Sequence, residues 1–161
     1  MNKARVLEQL IAALQHDLNA LQTAVKVAHE SATHGESAAE NKYDTRGLEA
    51  AYLAHGQAMR AMEIETALLS FDGIPPKSLT THSREVGIHS FMQLEDQAAT
   101  TRWLWLGADA GGLKFSFDSY DAMVVTPSSP LGAALMGRAQ GDVIELRVAD
   151  NLMEYEIIAL Y

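Results

Sequence analysis

No cysteine occurs in the 161 residues, which excludes disulfide frameworks, thiolate zinc sites and cysteine nucleophiles. Positive charge is scarce: 12 Lys and Arg stand against 21 Asp and Glu, for a net charge of −9. The basic residues are scattered, so the clustered cations that grip phosphates are missing and direct, sequence-specific DNA binding is not expected. No stretch approaches the roughly 18 apolar residues of a membrane span. The opening MNKARVLEQL has no unbroken apolar core of the kind a signal peptide needs. A soluble, cytoplasmic chain without membrane contact is the expectation. Stand-alone enzyme signatures are absent as well: there is no G-x-S-x-G, no HExxH and no Walker loop. The six histidines are dispersed, and His29 and His34, five apart, do not share a helical face for zinc.

Two periodicities divide what is present. Leu7, Ile11, Leu14, Leu18, Leu21, Val25, Ala28 and Ala32 step by four and three, a heptad seam that no proline interrupts. Gly35 ends it. A second seam is expected at Leu48, Tyr52, His55, Met59, Met62, Thr66 and Leu69, flanked by alanines at 50, 51, 54, 58 and 61. Two seams around a short polar break predict an antiparallel helical hairpin, with His55 as a polar register residue on its edge rather than a metal ligand. Gly73, Pro75 and Pro76 forbid further helix, so the domains read as a hairpin over 1–72 and a globular unit over 73–161.

Beyond that boundary the period falls to two. Strand-like segments are expected around Val86 and Ile88, over Trp103–Leu106, and at Leu113, Phe115 and Phe117 after the GADAGG turn. Val143–Val148 and Met153–Tyr161 read as a closing pair. Ser129 as N-cap, Pro130 in the first helical position and Gly137 at the C-terminal cap predict one short helix between them. The fold class is therefore α+β: a helical hairpin plus an antiparallel sheet carrying a short helix.

The hairpin tip, near residues 35–44, reads GESAAENKYD. Ser37 and Glu40 have the spacing expected of a capping box, and carboxylates in a first helical turn favour the helix dipole. Glu36 and Asp44 are not explained that way. An arm of some thirty residues is about 45 Å long, so the tip lies far from any core. Carboxylates there can coordinate a hard cation when another molecule supplies further oxygens, as in two-metal phosphodiester hydrolysis.

Two stretches resemble the Gre-type transcription elongation and transcript-cleavage factors. The tip is similar to the family's Gly-Asp-x-x-Glu-Asn-x-x-Tyr pattern. SSPLGAALMGRAQGD, followed by a final strand, is similar to its Ser-Pro-x-x-x-x-Leu-x-Gly-x-x-x-Gly-Asp run, through Ser129, Pro130, Leu135, Gly137, Gly141 and Asp142. The resemblance implies an FKBP-like globular domain that docks on RNA polymerase through Ser128, Ser129, Pro130 and Leu131. It also implies a coiled-coil hairpin that enters the secondary channel. Glu36 and Glu40 would there hold a Mg²⁺ shared with the polymerase active site and serve as the catalytic acids in cleavage of backtracked RNA. Asn41, Tyr43 and Asp44 would support the tip. The chain would thus be an accessory factor that meets nascent RNA only indirectly and binds no cofactor in isolation.

The tip departs from the pattern. Glu36 stands where the family has Asp, it precedes Glu40 by four residues instead of three, and Tyr43 follows Asn41 by two instead of three. The segment through Asp72 also carries six basic residues against ten acidic ones, without a cationic patch for RNA. A regulator that occupies the channel without cleavage is the alternative. A prolyl isomerase, with Trp103, Trp105, Phe115, Phe117 and Tyr120 around a pocket, and a dimeric coiled-coil module are further ones.

Overall fold

The computed structural model describes residues 1–33, 46–80, 83–149 and 151–161. Helix α1 spans Lys3–Thr33 and α2 spans Arg46–Asp72. Asn2 begins α1, its side-chain oxygen accepting from the Arg5 amide at 3.3 Å, as an N-cap does. The start of α1 (Val6, Leu7, Leu10, Leu14) and the end of α2 (Ile64, Ala67, Phe71) share one core, so the helices run antiparallel. The expected α1 seam is present from Leu7 to Leu21: Leu7 and Leu14 are buried, and Ile11, Leu18 and Leu21 pack against the same core, while the side chains of Ala28 and Ala32 lie outside the described set.

The expected α2 seam is on the wrong side. Tyr52, Met59, Met62 and Leu69 are 69, 47, 59 and 76 % exposed, His55 and Thr66 are exposed with them, and the side chain of Leu48 lies outside the described set. A second heptad series, Gln57, Ala61, Ile64, Leu68 and Phe71, faces inward instead, with Ile64 and Phe71 buried and Leu68 packed on the core. The two series differ by two residues, about 200° around a helix, so only one can face α1. The inner one faces α1 where Ile64 and Phe71, with Ala67 beside them, join the core that α1 shares. Phe71 also reaches the globular unit, where a Cβ on Gly107 would lie 3.1 Å from its Cζ.

After the short α3 (Pro76–Thr80) the chain forms six strands: β1 Phe91–Asp96, β2 Thr101–Leu106, β3 Lys114–Phe117, β4 Tyr120–Val125, β5 Val143–Val148 and β6 Asn151–Leu160. Their order is β3-β4-β2-β1-β6-β5, antiparallel except for the parallel β2–β4 pair. Helix α4, Pro130–Leu135, lies between β4 and β5 in the chain. The α+β architecture and the closing β5–β6 pair follow the sequence pattern, but Val86 and Ile88 form no strand. The Val86 amide donates to Arg138 O at 2.7 Å, Glu85 makes a single bridge to Ala139, and Ile88 is 41 % exposed. The strand lies instead at Phe91–Asp96.

Alternation along the central strands fills both faces of the sheet. Phe91, Trp103 and Trp105 point to the helices, together with Phe115 and Phe117. Met92, Leu94, Leu104 and Leu106 point the other way, onto Leu135 of α4. Phe91 stacks on Trp103 with ring centroids 5.1 Å apart, and Phe117 meets both rings edge-on. Of the five aromatics that would line an isomerase pocket, four are therefore core and Tyr120 is exposed. Among the described residues no helix is long and apolar enough to cross a membrane, and no metal-ligating cluster occurs.

One charge is buried at the hairpin base. Lys3 Nζ donates to Ser78 O at 2.9 Å and Tyr161 O at 3.4 Å, and burial lowers its pKa from 10.5. Burial, and then the nearby Lys3 charge, lower the His89 pKa from 6.5. Between its lowered folded value and 6.5, His89 binds more protons unfolded than folded, so stability falls as pH drops through that window. A His89→Asn variant, which tolerates the left-handed φ of 71° at this position, is expected to flatten the acid side of a melting-temperature profile. An unchanged slope would remove His89 as the cause.

Candidate functional site

The stretch from Thr126 to Asp142 is held by its own short-range bonds and by backbone bonds to Val86 and Ile157. The Ser129 amide and hydroxyl both donate to Thr126 O, at 2.9 and 2.7 Å. The same hydroxyl accepts from the Gly132 amide at 3.1 Å, which makes Ser129 the N-cap of α4, and Pro130 follows in the first turn. Thr126 and Ser128 join their hydroxyls at 2.9 Å. Gly132 is buried, and a Cβ built on it would lie 2.0 Å from Thr126 O; only glycine lets the turn fold this tightly onto the helix.

The far end of the motif is equally specified. Gly137 (φ 74°) and Gly141 (φ 91°) occupy left-handed backbone. The Gly137 amide donates to Val86 O at 2.9 Å. Asp142 Oδ2 accepts from the Ala139 amide at 2.8 Å, and its main-chain oxygen accepts from Ile157 at 3.0 Å. Leu135 is fully buried. Each spaced residue of the run thus has a structural reason, and the run's surface includes Met136, Arg138 and Gln140 as well as the first turn of α4.

There Ser128 and Pro130 are exposed, Ser129 is half-buried, and Leu131 is half-buried against the core beneath α4. The structure brings all four predicted docking residues together on one rigid edge. An open groove of about 670 Å³ is lined by Ser129, Pro130 and Leu131 of this edge together with Val125, Leu146 and Arg147. The groove and the Gly132 contact were missed in the sequence. The available signal was a glycine at the third helical position, where helix propensity alone would disfavour it. Glu36, Glu40, Asn41, Tyr43 and Asp44 lie outside the described residues.

The edge depends on its cap. Ser129→Ala removes the acceptor for Gly132 and one donor to Thr126, and is expected to lower stability by about 1 kcal/mol. Urea unfolding would show the loss as a lower midpoint with unchanged slope. No change would mean that the hydroxyl bonds contribute nothing.

A family model described as "Transcription elongation factor, GreA/GreB, C-term" matches residues 115–161, a span that contains this edge. Over 160 residues the chain is 26 % identical to "Transcription inhibitor protein Gfh1" of Thermus aquaticus, covering 96 % of this chain and 91 % of that one. The protein of the same name from Thermus thermophilus is 28 % identical over 160 residues, covering 96 % and 92 %. A solved structure described as "Structure of the transcription factor Gfh1" superposes with a TM-score of 0.41 at 25 % identity, over 96 % of this chain and 92 % of the other.

Proposed function

We propose that this chain, which belongs to the Gre-type family of transcription elongation factors, binds RNA polymerase through the Ser128–Leu131 edge and lays its hairpin in the secondary channel. The observation that carries this reading is the locked first turn of α4, with Gly132 packed onto Thr126, inside the family-matched span. A rigid edge binds without losing conformational entropy of its own. Such a regulator works in the cytoplasm as an accessory to polymerase rather than as an enzyme by itself.

Its effect on transcription is inhibitory in this reading. Support comes from two relatives, aligned over 96 % of the chain, that carry the name transcription inhibitor, and from the one-residue-longer spacing of Glu36 and Glu40. Chemistry at a metal site is sensitive to displacement of about 1 Å. Cleavage of backtracked RNA is the second reading, favoured by those same two acids, which would hold the shared Mg²⁺.

A backtracked elongation complex with labelled RNA separates the two. The full chain is expected to bind, to slow extension and to release no short 3′ fragments. Fragments that disappear with Glu36→Ala/Glu40→Ala, by about 100-fold or more as for loss of a metal-assisted step, would assign cleavage and the tip acids. Absence of polymerase binding would overturn both.

A further inference from the structure

We propose that β5 is a self-pairing edge: the partner it fits is β5 of a second copy of this chain, antiparallel, with Leu146 on the two-fold axis. This goes beyond the polymerase-edge reading and stands independently of it. Strand β5 ends the strand order and pairs with β6 alone. The Ile157 amide donates to Asp142 O at 3.0 Å, and the register then runs from Val143↔Glu156 to Val148↔Asn151 without a shift. In an antiparallel ladder alternate residues bond the neighbouring strand. Ile144 and Leu146 therefore bond β6, and the main-chain groups of Val143, Glu145 and Arg147 point away from it. Proline, lysine or a bulge ordinarily guards such an edge, and Val143–Val148 has none of these. Its charges are Glu145 and Arg147, both exposed and of opposite sign.

The order of those two charges selects the occupant. In an antiparallel pair, residues that bond across the edge stand directly opposite each other. The register centred on Leu146 then sets Glu145 of each copy opposite Arg147 of the other, and each such pair also exchanges both main-chain bonds. Centring on Glu145 or on Arg147 would oppose like charges instead. A parallel pairing would bring Glu145 level with Ile144 or Leu146 and form no ion pair. Leu146, which packs against the core beneath α4, meets its own copy in the narrow, non-bonded position where side chains come closest. Within one chain Glu145 stands opposite Glu154 of β6, a like-charge pair that the incoming Arg147 offsets. Among the described residues Arg147 has no ion pair of its own. A foreign strand would need an acid and a base at this same spacing, whereas a second copy supplies them by symmetry. The net charge of −9 opposes self-association, but at about 0.15 M salt its reach is only about 8 Å, so contacts at the edge decide.

The test is sedimentation equilibrium of the full chain at about 0.15 M salt, loaded from about 1 μM to about 1 mM. A monomer–dimer equilibrium with a Kd on the order of 100 μM is expected, as for a small, transient interface. Glu145→Arg and Arg147→Glu, each on an exposed position, are each expected to weaken the dimer at least about tenfold with an unchanged circular dichroism melt. The two swaps move net charge in opposite directions, so a loss with both cannot come from net charge. An equimolar mixture of the two variants restores the opposite-charge pairs and is expected to dimerise like the parent, as is the Glu145→Arg/Arg147→Glu double swap. The proposal is overturned if the parent stays monomeric throughout, which would leave the edge bare or open to a foreign strand. It is overturned equally by a dimer that survives the single swaps, by single swaps that act in opposite directions, or by a mixture that stays monomeric.

Discussion

Gly132→Ala is expected to destabilise the chain by about 3 kcal/mol, far more than one methyl group ordinarily does. The new Cβ would lie 2.0 Å from Thr126 O, 2.7 Å from Thr126 C and 3.1 Å from Ser129 Oγ. The first two are backbone atoms, so no side chain can swing aside. The Thr126 carbonyl also accepts both Ser129 bonds, from the amide and from the hydroxyl. Making room therefore loosens the cap as well as overpacking the turn, and the two effects add. For a chain of this size the melting temperature should fall by about 6–12 °C. Gly56→Ala provides the contrast: nothing lies within 4 Å of a Cβ there, and the position is exposed in α2. The same substitution should stabilise by roughly 0.5–1 kcal/mol, because alanine is the better helix former. Equal effects at the two sites would mean that the Thr126 contact relaxes freely. Polymerase binding should weaken with Gly132→Ala and persist with Gly56→Ala, because only the former disturbs the Ser128–Leu131 edge.

The physical origin of that edge explains what could be read in advance. Ser129, Pro130 and Gly137 act through local backbone rules that hold for almost any surroundings, and the structure bears out all three as cap, first-turn residue and left-handed terminus. The β5–β6 pair was legible for the same reason, since Tyr155 and Ile157 are buried on either side of exposed Glu156. Strand β1 was not. Phe91 packs towards the helices while Met92 and Leu94 pack towards α4, so a strand buried on both faces shows no polar alternation. Strand β4 begins with exposed Tyr120 and Asp121 and pairs in parallel with β2, a partner that no turn signal announces.

Helix α2 failed differently. It carries two heptad series, and side-chain size favours the outer one. The inner series is chosen by what surrounds it: the α1 core that receives Ile64 and Phe71, and the space Gly107 leaves for Phe71 in the sheet unit. Only the tertiary arrangement distinguishes a seam to be buried from a seam to be displayed. The tip acids were singled out from local capping rules and family resemblance, and their contribution rests on the polymerase assay.

Trp105→Ala is expected to cost about 3–5 kcal/mol, whereas Trp105→Phe should stay within about 1 kcal/mol of the parent. Trp105 is fully buried, and its ring lies 6.0 Å from that of Phe91, centroid to centroid. Truncation to alanine opens a large cavity where the hairpin base, β1 and β2 meet, and the close-packed surroundings collapse into it only in part. The indole, however, also carries a liability. Its Nε1–H is buried without an acceptor among the described residues, and an unpaired buried donor of this kind costs roughly 1–3 kcal/mol. Phenylalanine gives up part of the ring volume and removes the unpaired donor, so the two changes oppose each other. Urea unfolding of the three proteins gives the comparison directly, with equal slopes as the check that the unfolded states match. A Trp105→Phe loss as large as that of Trp105→Ala would mean that the N–H is paired after all and that the indole is held for its hydrogen bond. A small loss would mean that Trp105 is held for its volume alone, joining the helices to the sheet that carries the α4 edge.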